Sequence, residues 1–275
     1  MLIEIPVFHL LVSMLYAAGA AARWWTSHRN NAEQPDKPAS PLIFIVAVVT
    51  LSLHVFSLMR SIIAPDGINF SVGNAASLVA FLCVVVAWAS GLMRALSQFS
   101  TGLLGMAAVA AIMPAIFPGE HRFMYETQSG MALHIAVAFL AYALFFVAAL
   151  LALAMASIEK RLRYDFSDQK SGRTPPLLTL ERYLFRLILL GFLFLTMTVI
   201  SGVFFSEIIF GQPFQFTHKT ALTMASWVIF GVFLFGHWRF GWRGRRAFYW
   251  ILTGTAVLLL AYLGYKFIVE LFLSR

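Results

Sequence analysis

Long apolar stretches separated by short polar segments run along the whole chain. A helix needs about 20 consecutive apolar residues to cross a bilayer. Stretches of about this length lie at residues 3–22, 41–63, 73–93, 100–117, 130–156, 184–209, 219–238 and 248–272. None shows polar and apolar residues alternating with a period of two, so they predict helices rather than barrel strands. The pattern predicts an all-α, polytopic transmembrane helix bundle of about eight spans.

The composition indicates the same class of protein. Of the 275 residues, 60% are hydrophobic and 12% are charged, and the mean hydropathy is +0.82. A soluble domain cannot bury that much apolar surface, so we expect residues 1–275 to form a single integral membrane domain. The net charge of +8 does not indicate a nucleic-acid partner, because the basic residues lie in short loops beside apolar spans.

The basic residues also predict how the chain is oriented in the membrane. Most of the 20 Lys and Arg residues lie in loops that are cytoplasmic if the N-terminus is outside. These residues are Arg23, Arg29, Lys37, Arg94, Lys160, Arg161, Arg163, Lys170, Arg173, Arg182, Arg239, Arg243, Arg245 and Arg246. The positive-inside rule therefore predicts both termini on the outer, periplasmic side. The longest cytoplasmic loop is expected at residues 157–182.

Two histidines are expected at the same outer face. His134 opens the fifth span and His218 opens the seventh. Neutral imidazole binds iron well, and side chains from two helices can hold a porphyrin between them. Haem iron is therefore the leading candidate ligand for this pair. The alternative is that these histidines and the aromatic residues near them form the usual headgroup belt of a membrane protein.

Further polar residues are expected near that face. Lys219, Arg60 and Arg122 are candidate partners for haem propionates, and His121 is a substitute ligand if His218 faces elsewhere. His54 lies near the middle of the second span. An ionisable group at that depth indicates function by default, but a neutral histidine can also form a hydrogen bond between helices. His54 is therefore either an embedded haem contact or a packing residue.

Several chemistries are excluded or not indicated. Cys83 is the only cysteine, so a CxxC redox pair and covalent CxxCH attachment of haem are excluded on this chain. Any haem is expected to be non-covalent haem b. The chain has no nucleotide-binding loop, zinc-ligand spacing or catalytic triad signature. No catalytic residue is predicted, and we expect a binding protein rather than an enzyme.

A run of aromatic residues and arginines, residues 236–246, ends the seventh span. Its sequence is Gly-His-Trp-Arg-Phe-Gly-Trp-Arg-Gly-Arg-Arg. This composition is typical of an anchor at the inner membrane interface, and it can also hold anionic lipid headgroups. The anchor is the preferred interpretation.

The motifs resemble a known family. They include Leu53-His54-Val-Phe-Ser-Leu58, Gly130-Met-Ala-Leu-His134 with Tyr142, His218-Lys219-Thr with Trp227, and Gly241-Trp242-Arg243-Gly244-Arg245-Arg246. From about residue 40 onward, the chain resembles the cytochrome c assembly (CcsA/CcmC/CcmF) superfamily. The likeness is closest to its YpjD/HemX-like branch of bacterial inner-membrane proteins. The chain departs from the superfamily pattern at residues 211–219, which contain no tryptophan where related proteins have a tryptophan-rich segment.

The resemblance implies a multi-pass protein of the bacterial inner membrane that handles haem at the outer face during cytochrome assembly. In that superfamily, a histidine like His134 opens a span and faces an outer haem site. The expected partners are haem, membrane lipids and other cytochrome-assembly or membrane proteins. The alternative is an accessory or scaffold subunit of a membrane transporter that binds no haem.

Overall fold

Helices dominate the fold of this chain. The computed structural model describes residues 4–29, 41–64, 67–117, 122–123, 129–164, 177–210 and 217–261. Contacts divide the chain into two compact units: Met1–Tyr125 with Ser167–Pro175, and Glu126–Phe166 with Pro176–Arg275. We call these unit 1 and unit 2. The expectation of a single membrane domain stays a prediction.

Unit 1 is a helical bundle with a small sheet. Its helices are α1 (Glu4–Arg29), α2 (Pro41–Ile62), α3 (Val72–Ala89), the single turn α4 (Leu92–Ala95) and α5 (Ser97–Ile116). Its strands are β1 (Ile63–Ala64), β2 (Gly67–Asn69) and β3 (Arg122–Phe123). They form an antiparallel sheet in the order β1-β2-β3. The sequence pattern did not predict this sheet, because strands of two or three residues are too short to show a period of two.

One close backbone contact joins α3 to α5 in unit 1. A Cβ atom at Gly73 would lie 2.7 Å from the Met113 carbonyl oxygen and 2.8 Å from the Pro114 Cα atom. Only glycine permits this approach, because the backbone of α5 cannot move aside as a side chain can. Pro114 lies inside α5, where its ring disturbs the regular hydrogen-bond pattern of the helix.

Unit 2 contributes four helices to the described part of the chain. They are α6 (Ser129–Tyr164), α7 (Leu177–Phe210), α8 (His218–Phe240) and α9 (Arg245–Leu259). In the core, the Phe145 ring of α6 stacks on the Phe230 ring of α8, with 3.8 Å between centroids. A Cβ atom at Gly191 would lie 3.1 Å from the Phe145 ring, and one at Gly254 would lie 2.8 Å from Phe230. These two glycines leave room for the stacked rings between α7 and α9.

The helices confirm the predicted all-α, polytopic class. Among the described residues, seven helices are long and apolar enough to cross a membrane. They correspond to the first seven predicted spans. The eighth predicted span, 248–272, begins within α9, and its residues beyond 261 lie outside the described part of the chain. The orientation of the termini stays a prediction.

The predicted cytoplasmic loop 157–182 is helical at both of its ends, and its place in the cytoplasm stays a prediction. Helix α6 continues to Tyr164, and α7 already begins at Leu177. The loop was predicted from the loss of apolar character after residue 156. Hydropathy marks where a helix leaves the hydrocarbon region, whereas the helix itself continues as long as its backbone hydrogen bonds do.

Candidate functional site

His134 is held by a hydrogen bond between two helices of unit 2. It lies in the second turn of α6, and its Nδ1 atom is 2.7 Å from the Ser201 hydroxyl oxygen on α7. Gly202 stands next to this contact, and a Cβ atom there would lie 3.5 Å from the His134 Cε1 atom. The imidazole therefore packs closely against the backbone of α7, which limits how far the ring can turn.

One hydrogen-bond arrangement of the Ser201 hydroxyl places the ring proton of a neutral His134 on Nδ1. That hydroxyl has one proton, and its oxygen lies 2.7 Å from the Met197 carbonyl, which can only accept a hydrogen bond. When Ser201 donates to this carbonyl, its oxygen accepts from His134, so the ring proton lies on Nδ1. The Nε2 atom then carries the lone pair. This is the arrangement that histidine ligands of metals use, with a second partner holding the other ring nitrogen.

His218 and Lys219 lie at the start of α8, in the same unit. Thr217 caps this helix, and its hydroxyl accepts a hydrogen bond from the Thr220 backbone N–H at 3.3 Å. The His218 and Lys219 side chains are exposed. The Lys219 ammonium is close enough to the His134 imidazole to interact with it electrostatically. The pairing of His134 with His218 at one site stays a prediction from the sequence.

The remaining predicted site residues belong to unit 1. Arg60 lies in the last turn of α2 with its side chain exposed. Arg122 is in strand β3, where it pairs with Asn69 of β2, and its side chain lies outside the described part of the structure. His121 also lies outside the described residues. Their assignment to a common site stays a prediction from the sequence.

His54 is fully buried in unit 1, and both of its ring nitrogens have partners. The Nδ1 atom lies 3.0 Å from the Tyr16 hydroxyl of α1, and Nε2 lies 2.9 Å from the Ser77 hydroxyl of α3. One imidazole thus connects three helices. A ring with both nitrogens in hydrogen bonds offers no lone pair to iron, so this geometry favours the packing interpretation of His54 over an embedded haem contact.

A second buried histidine, His9, was not predicted as part of any site. Its Nδ1 atom lies 3.1 Å from the Ala111 carbonyl of α5 and 2.9 Å from the Ser57 hydroxyl of α2. Its Nε2 atom is buried and has no hydrogen-bond partner among the described residues. A helical period in the sequence could have revealed this cluster. His9, Ser13 and Tyr16 share one face of α1, while Thr50, His54 and Ser57 share one face of α2.

The helices define a polytopic α-helical membrane protein. A sequence model of the family described as cytochrome C assembly protein matches residues 42–273. The match covers most of the chain, and the chain belongs to this family.

Individual relatives agree with this assignment. The inner membrane protein YpjD of Escherichia coli (strain K12) is 30% identical over 242 residues, which cover 84% of this chain and 87% of that protein. A cytochrome c biogenesis protein CcsA of Heterosigma akashiwo is 31% identical over 102 residues, covering 37% of this chain and 32% of CcsA. A CcsA of Prochlorococcus marinus is 26% identical over 160 residues, covering 51% and 52%. The relatives and the seven membrane-length helices indicate a multi-pass inner-membrane protein. No solved structure matches the chain.

Proposed function

We propose that the protein binds haem at its outer face and takes part in the assembly of c-type cytochromes. The observation that carries this proposal is the 2.7 Å contact between His134 Nδ1 and the Ser201 hydroxyl, because a histidine that ligates a metal is commonly oriented by a partner at its other ring nitrogen. Family membership supports the cytochrome-assembly context. The protein binds or passes haem without catalysing a covalent reaction.

The proposed axial ligands are His134 and His218. Both lie in unit 2, and the electrostatic contact between Lys219 and His134 supports their proximity. These histidines would hold a bound haem through its iron. The haem is proposed to be non-covalent haem b, since a chain with one cysteine, the buried Cys83, has no CxxCH motif to attach it.

Cationic side chains are proposed to hold the propionates. Lys219 is exposed and immediately follows His218, so its ammonium can reach a carboxylate on a porphyrin bound there. Arg60 and Arg122 are proposed for the same role from the sequence alone. His54 is proposed as a packing residue that joins α1, α2 and α3 rather than a haem contact.

Absorption spectra of the detergent-purified protein test this proposal. The protein is produced in haem-replete cells, and spectra are recorded in the oxidised and dithionite-reduced states. We expect a Soret band and reduced α and β bands in the wild type, and their loss in His134→Ala and His218→Ala. Leu133→Ala is the matched control, because Leu133 is the exposed neighbour of His134 on α6; its spectrum should equal that of the wild type.

Variants of Ser201 separate positioning of the ligand from general damage to the fold. Removing a residue that orients a metal ligand typically weakens metal affinity about 10- to 100-fold. We expect Ser201→Ala to weaken haem affinity about tenfold, at the lower end of that range, and Ser201→Thr to restore it by retaining the hydroxyl. A wild-type spectrum without a Soret band would overturn the proposal and favour a transporter accessory or scaffold. Soret bands retained in both histidine variants would place the ligands elsewhere.

A further inference from the structure

A cavity of 530 Å³ opens at the end of unit 2 that lies away from His134. Its walls come from the last turns of α6, the first turns of α7 and the start of α9. Helix α6 has 36 residues, so it is about 54 Å long, whereas the hydrocarbon core of a bilayer is about 30 Å thick. His134 is near one end of α6, and the cavity is near the other. The cavity and the proposed haem site therefore lie toward opposite ends of α6.

The cavity is apolar inside and charged at its rim. Ala152 and Ala156 of α6 contribute small side chains that leave the space open, and Leu184 and Phe185 of α7 line it from the other side. The charged lining residues are Glu159, Lys160, Glu181, Arg243 and Arg245. Cations and carboxylates thus surround the mouth of an apolar pocket, which matches a ligand with a zwitterionic head and an apolar body.

Several contacts fix the conformation of the turn between α8 and α9, which carries Arg243. Gly241 and Gly244 have φ angles of 65° and 58°, which glycine adopts at little cost. The Trp242 ring lies directly against the backbone of Gly236 and stacks on Trp250 at 5.5 Å between centroids. The His237 Nδ1–H donates to the Trp242 carbonyl at 2.9 Å. These contacts hold the residue that follows Trp242, Arg243, at the rim.

One ion pair already orders part of the rim. The Arg243 Nε atom lies 3.6 Å from the Glu181 Oε1 atom, so α7 and the turn before α9 are linked across the mouth. Lys160 and Arg245 add positive charge around the opening, and Glu159 adds negative charge on α6. A phosphate prefers the guanidinium and ammonium groups, and a primary ammonium prefers the carboxylates.

We propose that this cavity binds the headgroup of phosphatidylethanolamine. The phosphate contacts Arg245 and Lys160, the ammonium contacts Glu159, and the glycerol region fills the apolar interior. The acyl chains leave past Leu178 and Tyr249, whose side chains line the cavity and are 63% and 62% exposed. The volume lies within the range of about 300–1,000 Å³ that is usual for small-molecule pockets. The described lining contains no histidine or cysteine, so it does not favour a second iron site.

Native mass spectrometry of the delipidated full-length protein tests the proposal. The probes are dioleoyl-phosphatidylethanolamine, dioleoyl-phosphatidylglycerol, dioleoyl-phosphatidylcholine and soluble phosphoethanolamine. Phosphatidylglycerol lacks the ammonium, and phosphatidylcholine carries a methylated ammonium without N–H donors. We expect phosphatidylethanolamine to bind most tightly. Soluble phosphoethanolamine should bind much more weakly, because it leaves the apolar walls uncovered.

Two pairs of variants assign the binding to this cavity. Arg245→Gln removes a rim charge and Ala156→Phe fills the interior, and each should weaken phosphatidylethanolamine binding about three- to tenfold. Their controls are Arg246→Gln, at the exposed neighbouring residue, and Ala154→Phe, on α6; neither position lines the cavity. Both controls should bind as the wild type does. Haem content should stay unchanged in Arg245→Gln, which makes this test independent of the proposed haem site.

Three results would overturn the inference. Equal affinity for phosphatidylglycerol would mean that the ammonium is not recognised, and equal affinity for phosphatidylcholine would mean that the N–H donors of the ammonium are not recognised. Equal affinity for soluble phosphoethanolamine would indicate a site for a free phosphate ester rather than a lipid. Equal losses in the cavity variants and in their controls would place the bound lipid elsewhere on the protein surface.

Discussion

His54 and His134 both meet a hydroxyl group of a neighbouring helix, but they differ in burial. His54 is fully buried and both of its ring nitrogens have hydroxyl partners, whereas His134 is half-buried and its Nδ1 atom meets the Ser201 hydroxyl. In an apolar environment, an unpaired polar atom costs more than a paired one contributes. A fully buried histidine with both nitrogens engaged is therefore suited to joining helices.

The structural assignment of His54 leads to a prediction about stability. His54→Ala leaves the Tyr16 and Ser77 hydroxyls buried without the histidine, so we expect a loss of about 3 kcal/mol, measured as a lower melting temperature in detergent. Ser52→Ala, at an exposed position two residues earlier on α2, should melt as the wild type does. The Soret absorbance per folded protein should not change. A normal melting temperature combined with loss of the Soret band would instead make His54 a haem ligand.

At the level of helices, close packing depends on glycines that the hydropathy pattern does not distinguish. Gly73 lets α3 approach the backbone of α5 at Met113 and Pro114, whereas a Cβ atom at Gly105 would meet nothing within 4 Å. Both are helical glycines in apolar stretches. Their different surroundings depend on which face of each helix meets its neighbour, which is a property of the packed bundle.

These two glycines make a matched pair for a stability measurement. Gly73→Ala should destabilise the protein by about 1–3 kcal/mol or more, because its Cβ atom would overlap backbone atoms that cannot rotate away. Gly105→Ala should be neutral or slightly stabilising, since alanine favours a helix more than glycine does. Thermal unfolding in detergent distinguishes the two variants. Equal melting temperatures would mean that α3 and α5 do not approach as closely as described.

At the level of the whole molecule, the orientation in the membrane decides which compartment each site faces. The positive-inside rule predicts the start of α8 outside and its end in the cytoplasm. The proposed haem site would then face the periplasm, and the proposed phosphatidylethanolamine site would face the cytoplasm. The aromatic and arginine run at residues 236–246, which was interpreted as a membrane anchor, would form part of the lipid site.

Cysteine labelling tests this orientation with one matched pair on α8. In a Cys83→Ala background, Thr217→Cys and Arg239→Cys place single thiols at exposed residues at the two ends of the helix. A membrane-impermeant maleimide applied to spheroplasts should label Thr217→Cys, whereas Arg239→Cys should react only after permeabilisation. The reverse pattern would invert the topology and place the proposed haem site in the cytoplasm.

The sequence by itself determined the class of fold and most of the helix positions. Apolar stretches of about 20 residues need no tertiary information, because the bilayer sets their length and requires their backbone hydrogen bonds to be satisfied locally. The ends of the helices were harder to predict from the sequence. The charged residues after 156 were assigned to a loop, although α6 continues to Tyr164. The candidate ligands His134 and His218 could be named from their positions at the starts of two spans.

Only the tertiary structure decided which polar residues are partners. Ser201 lies 67 residues after His134, and the Tyr16–His54–Ser77 connection draws on three separate helices. The sequence period shows that such residues share a helix face, but it does not show which helix that face meets. The cavity between α6, α7 and α9 could not be predicted from the sequence for the same reason. Its walls are ordinary alanines, leucines and charged residues that become a site only when three helix ends are packed together.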